Sequence, residues 1–183
     1  MRVDVGTDPP RSTCLRLEIR LARIIGHDRL VEDLIRELET QEERLQFSRF
    51  DNTDAWALGC LLVDLARERD LSITIDIRRH GHQLFHAALP GTAPDNDRWI
   101  ERKIRVVERL NASSYLVGRR LAARGRTFDA DYGVNPADYA THGGAFPIRV
   151  RDVGVVGVVT VSGLPQADDH ALVVEALERF LAG

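Results

Sequence analysis

The run from Val153 to Ser162, Val-Gly-Val-Val-Gly-Val-Val-Thr-Val-Ser, constrains the fold more than any other feature of the chain. It carries no charge, and its valines occupy odd and even positions alike. Both faces of an extended segment would therefore be apolar, as in a strand covered from both sides. Such a strand needs helices above and below its sheet, which is a layered α/β architecture. Gly154 and Gly157 within the run allow another element to approach closely.

The remaining elements agree with that demand. Residues 28–43 place Leu30, Leu34, Ile35 and Leu38 at helical spacing, with acids and arginines opposite. Asp51, Asn52 and Thr53 are N-cap candidates for a helix whose buried stripe is Ala55, Leu58, Leu62, Leu65 and Ala66. Ser72–Arg78 alternates strictly and reads as a strand, His80-Gly81 as a tight turn, and His82–Ala88 as the second arm of a hairpin. A simple two-residue loop would set Ile77 opposite Leu84 and Ile75 opposite His86, which puts His86 on the isoleucine face. Residues 89–97 read as a loop leading to a helix with Trp99, Ile100, Ile104, Val107 and Leu110 inward. Ser113 or Ser114 caps another helix, which Gly125 stops. Residues 126–143 read as mostly loop, with a turn of helix after Pro136. Ala145–Val150 is a short strand, and a final helix begins near Asp168. The hairpin and the adjacent strand pair predict an α+β fold: a largely antiparallel sheet with helices on both faces. Residues 1–27 lack a clean period and read as a poorly ordered extension, with 28–183 as a single domain.

Composition narrows the function. Net charge is -3, so bulk attraction to nucleic acid is not expected. No apolar run approaches the ~18 residues that span a bilayer, and the first residues lack a signal-peptide core. The expectation is a soluble cytoplasmic protein with no nucleic-acid or membrane partner. Cys14 and Cys60 form no CxxC pair, which argues against a disulfide framework or structural zinc. Lys103 is the one lysine among 25 basic residues, a bias that genome composition can explain. No GxSxG elbow, P-loop, HExxH or GxGxxG is present, so no self-sufficient catalytic signature names a reaction.

Several segments could carry chemistry. At Ser162-Gly163-Leu164-Pro165-Gln166-Ala167-Asp168-Asp169-His170 a buried strand turns through glycine into a helix, whose free N–H groups attract anions. Asp168 and Asp169 could instead simply cap that helix, while Ser162, Gly163 and His170 are ligand candidates. In Thr141–Pro147, the pair Gly143-Gly144 lets backbone approach a ligand or simply makes a turn, and His142 is a candidate for metal or proton handling. Asp95, Asn96 and Asp97 cap the following helix or bind a cation, and Trp99 and Lys103 share its face one turn on. His82 and His86, four residues apart on a strand, lie about 13 Å apart, too far to share one ion. His86 alone is either a core histidine or an axial ligand. Arg98, Arg102, Arg105 and Arg109 form a stripe that is either a solvated face or a contact for carboxylates.

Taken together, His142-Gly-Gly-Ala-Phe-Pro-Ile-Arg and Val155-Val-Gly-Val-Val-Thr-Val-Ser-Gly-Leu-Pro-Gln-Ala-Asp-Asp-His resemble the haem-degrading-domain family, the GlcG/HbpS-like group. The stretches IDIRRHGHQLFHAALPGTAPDNDRWIERK and NASSYLVGRRL are similar to its uncharacterised UPF branch. The resemblance runs from about Leu45 to the end. It implies a profilin-like three-layer α/β/α fold with a five-stranded, mostly antiparallel sheet, and a homo-oligomer. It also implies a small-ligand-binding protein, with haem binding or haem degradation as the named activity. Under that implication His86 or His142 is the axial ligand, Arg78, Arg79 or Lys103 meets the propionates, and Phe146 and Trp99 line the slot. The rival expectation is a non-catalytic oligomeric module that binds protein partners, with helix 28–43 as a contact.

Overall fold

A computed structural model describes residues 29–183; the extension expected over 1–27 lies outside the described residues. The described residues open with helix α1 (residues 29–44) and strand β1 (Gln46–Phe47), then α2 (Asn52–Glu68). The hairpin β2 (Thr74–Arg79) and β3 (His82–Ala88) follows, then helices α3 (Pro94–Leu110), α4 (Ser114–Ala123) and α5 (Phe128–Tyr132). Strands β4 (Ala145–Val150) and β5 (Gly154–Ser162) and helix α6 (Gln166–Ala182) complete it. The strands form one mixed sheet in the order β1-β4-β5-β2-β3. Among the described residues only the β1–β4 pair is parallel. This is the α+β, three-layer arrangement that the doubly apolar run demanded, with β5 at its centre.

One face of the sheet packs on α2 and α6 through a core that includes Leu58, Leu62, Ile73, Ile75, Ile77, Val159, Val161 and Leu177. The expected α2 stripe is wholly buried. Asp51 caps that helix, accepting from the backbone N–H groups of Thr53 and Asp54. The opposite face packs on α3 through Ile100, Ile104, Val107, Ala145 and Val158. A second cluster, around Val106, Leu38, Tyr115, Leu116 and Phe128, joins α1, α4 and α5 to the back of α3.

Four expectations need correction. The hairpin is bulged: Arg78 opposes Gln83, but Ile77 opposes Phe85 and Asp76 opposes His86. One extra residue in β3 shifts the register, and a shift of one flips every later side chain. His86 therefore leaves the isoleucine face and meets Asp76. The helix after residue 89 starts at Pro94, two to four residues earlier than an Asp95–Asp97 cap implied. Pro94 occupies its first turn, where a missing N–H costs nothing, and Asn96 Oδ1 accepts from Ala93 N at 2.9 Å. Residues 128–132 form helix α5, so the expected helical turn lies earlier than Pro136. Finally, the arginine stripe of α3 holds this segment in place. Arg102 donates to the carbonyls of Pro136 and Tyr139, Arg105 to that of Asp138, and Arg109 to that of Tyr132.

Candidate functional site

Three segments distant in sequence close one cleft of about 270 Å³. Helix α3 contributes Asn96, Trp99 and Lys103 to it. The bend before β4 contributes His142. The β5–α6 junction contributes Ser162, Gly163 and Leu164, with Gln166 and Asp169 from α6 itself.

Glycine makes that closure sterically feasible. A Cβ on Gly143 would stand 1.8 Å from the carbonyl oxygen of Gln166, well inside any tolerable contact. Gly144, at φ +119°, would place a Cβ 2.3 Å from Val161 O and 2.8 Å from Lys103 Nζ. The pair thus lets the bend press directly on α6 and the end of β5. From the other side Ser114, at the start of α4, fixes the bend: its Oγ donates to His142 O at 2.5 Å and accepts from Ala145 N at 3.2 Å.

The floor of the cleft is an ion pair. Lys103 Nζ donates to Asp169 Oδ2 at 2.8 Å and to Val161 O at 3.0 Å, and both side chains are 3% exposed. Asp169 Oδ1 also accepts from Leu164 N at 2.9 Å, which ties the Ser162–Pro165 turn to α6. Burial lowers the Lys103 ammonium below the ordinary lysine range and raises the Asp169 carboxyl, while each partner's charge opposes the other's shift. At the rim, the exposed His142 imidazole meets the Trp99 ring edge-on, with centroids 5.1 Å apart. Partial burial, then the nearby cations Lys103, Arg102 and Arg119, holds His142 below the usual histidine range. Trp99 is steadied by Asp95, whose carboxylate accepts from the indole N–H at 3.1 Å, and by the Arg102 guanidinium 4.6 Å from the ring centroid.

The candidate residues thus fall into three groups. Asn96, Trp99, Lys103, His142, Ser162 and Gly163 line the cleft; Asp95, Gly143 and Gly144 support its walls. Phe146 and His170 sit in the core instead. Phe146 is 1% exposed, and the His170 ring lies between Phe146 and Tyr115 with Nε2 2.9 Å from Gln41 Oε1. Burial pushes the His170 pKa down to about 4. Arg78, Asp97 and His86 belong to a separate polar network. Arg78 donates to buried Asp76 and to Glu101, and His86 stands 3.5 Å from both Asp76 and Asp97. Among the described residues no group of three or more His, Cys, Asp or Glu side chains could hold a metal ion.

Asp169, Leu164 and Gln166 lie outside the set drawn from sequence. A signal for Asp169 existed: a lysine on the inward half of a helix is almost never fully buried unpaired, and Asp169 was the acid at the neighbouring candidate junction.

Fold and cleft together define a three-layer α+β domain with a polar pocket at the strand-to-helix junction beside its central strand. The chain belongs to the HbpS-like haem degrading family, whose description, "Haem degrading protein HbpS-like", matches residues 50–178. A UPF0303 protein of Streptomyces coelicolor is 65% identical over 147 residues, 80% of this chain and 93% of that relative. The crystal structure of Ybr137w protein is similar with a TM-score of 0.76 and 33% identity, over 84% of this chain and 95% of that one. A PduOC:heme complex shares the fold with a TM-score of 0.61 and 15% identity, over 70% and 93% of the two chains. Among the described residues no helix is long and apolar enough to cross a membrane.

Proposed function

We propose that the cleft over Lys103 binds a small carboxylate-bearing ligand, and that haem, entering by a propionate, is the candidate the family points to. The observation that carries this reading is the floor. An ammonium has three hydrogens; two go to Asp169 and Val161, and the third has no protein acceptor among the described residues. A carboxylate is the natural partner for it.

The residues fit haem at two points. His142 presents an exposed imidazole whose ring nitrogens have no protein partner among the described residues, and its lowered pKa keeps it neutral, the form that ligates iron. Lys103 would hold a propionate, and Trp99 supplies an aromatic wall. His86 fits less well, because its ring faces the carboxylates of Asp76 and Asp97. Bound haem would supply an iron centre; the chain's own part is to bind and orient it.

Haemin titration tests this. The expected result is a Soret change saturating at one haem per chain, abolished by His142→Ala and retained by His86→Ala. A non-saturating response indifferent to His142→Ala would remove haem. Quenching of Trp99 by oxalate tests the wider carboxylate reading in a Trp56→Phe background, where Trp99 is the sole tryptophan.

A homo-oligomer is the second part of this reading, supported away from the cleft. Strand β3 ends the sheet with its outer edge unpaired among the described residues, and Trp56 beside Phe85 is 64% exposed. An unpaired edge next to an exposed aromatic suits a second copy. Sedimentation of wild type against Trp56→Asp measures it.

A further inference from the structure

We propose that Lys103 is an imine-forming amine whose Nζ, on the floor of the cleft beside Asp169, condenses with the carbonyl carbon of a small aldehyde or 2-oxo acid. The inference rests on the cleft being a ligand site and assigns that ligand a reactive group.

The residue at this position is the kind that such chemistry needs. A guanidinium cannot give up its proton in a protein, whereas a buried lysine can, and a neutral amine is a nucleophile. Lys103 is also a buried cation that lines the cleft, packed where Gly144 leaves it room: a Cβ there would be 2.8 Å from Nζ.

The surroundings supply what condensation needs. Asp169 Oδ2, 2.8 Å away, is placed to take the proton that the ammonium must lose. Burial moves both groups toward their neutral forms, which favours that transfer. The amine lone pair then forms a C–N bond as the carbonyl π pair moves to oxygen, and protonation of that oxygen by Asp169 gives a carbinolamine. Of the two protons still on nitrogen, Asp169 relays one to the hydroxyl, which leaves as water, and then keeps the other, leaving a C=N bond. One water is released, and nothing is oxidised or reduced.

The full-length chain is incubated with glyoxylate and cyanoborohydride at pH 7, which reduces any imine to a stable secondary amine, and the product is mapped by peptide mass spectrometry. The chain's α-amino group serves as internal control. The expected result is modification at Lys103 about tenfold faster in the folded chain than in the same chain held in urea, where an ordinary lysine amine is almost wholly protonated. Lys103→Arg should lose that adduct and keep the α-amino one, and Asp169→Asn should slow it. The rate ratio needs only wild-type protein, so a variant that fails to fold leaves the test intact. Labelling of the α-amino group with Lys103 untouched, or no faster than in urea, overturns the proposal. If oxalate still quenches Trp99 in that case, the carboxylate reading stands and Lys103 is only its counter-ion. If oxalate binding is absent too, both fall.

Discussion

The two faces of β2 and β5 are built from alternate residues of the same strands, yet they obey different rules. Toward α2 and α6 stand Ile73, Ile75, Ile77, Val159 and Val161, all wholly buried among other hydrocarbon side chains. Toward α3, beside apolar Val158, stand Thr74, Asp76, Thr160 and Ser162, equally buried but polar. The first face is held by area removed from water and is indifferent to partner identity within limits of volume. On the second, each buried polar atom depends on its own particular partner. Asp76 is met by Arg78 and Gln83. The hydroxyls of Thr74 and Thr160 find no protein partner among the described residues. The contrast teaches that this sheet has a structural side and a chemical side. The cleft lies where the chemical side runs out from under α3.

The largest expected effect separates them directly. Lys103→Ala strands the Asp169 carboxylate in the interior and should cost about 3–5 kcal/mol in urea unfolding. The double variant Lys103→Met, Asp169→Leu should recover most of that stability while losing oxalate binding, because no charge is then left buried without a partner. A single variant costing under about 1 kcal/mol would show the pair to be solvated. On the other face Leu62→Ala should cost about 3 kcal/mol through the cavity it leaves, with ligand response unchanged; altered binding would mean the faces are coupled.

A smaller effect belongs to His170, which bridges α6 to α1. Its pKa of about 4 in the fold lies below the value of 6.5 for a free imidazole. As pH falls, the unfolded chain therefore takes up the proton first. Stability contributed by the neutral ring is complete above about pH 6.5 and declines as pH drops toward 4. Between pH 7 and pH 5 the loss should be about 2 kcal/mol, and His170→Leu should flatten that part of the profile in urea titrations. An unchanged slope would place the proton elsewhere. The smallest effect is at the cap: Asp51→Ala should cost about 1 kcal/mol by freeing the α2 backbone donors, read as a shift in Tm.

Much of this was legible in the sequence because it is local. The α2 stripe, the β2 alternation and the Gly125 stop each follow from spacing over a few residues. The candidate segments around Lys103, His142 and Ser162 could be singled out for the same reason. The bulge at Leu84 could not, since the pattern His-Gln-Leu-Phe-His carries apolar residues at both parities and fits either register. His86 was misplaced as a result. Phe146 and His170 were attractive by residue type, but their side chains point into the core, which depends on which face of β4 and α6 the neighbours cover.

By itself the sequence determined that a central strand would be enclosed on both sides, that the chain would be α+β, and which three stretches were rich in chemistry. Periodicity and glycine placement are written in neighbouring residues, so they can be read in order along the chain. Only the tertiary structure decided that those stretches meet, that Asp169 faces Lys103 rather than capping its own helix, and that His142 and not His86 stands at the cleft. Those outcomes depend on contacts across 66 positions, as between Lys103 and Asp169. Packing settles such long-range pairings, because a buried charge accepts only the partner that the folded backbone brings within hydrogen-bond reach.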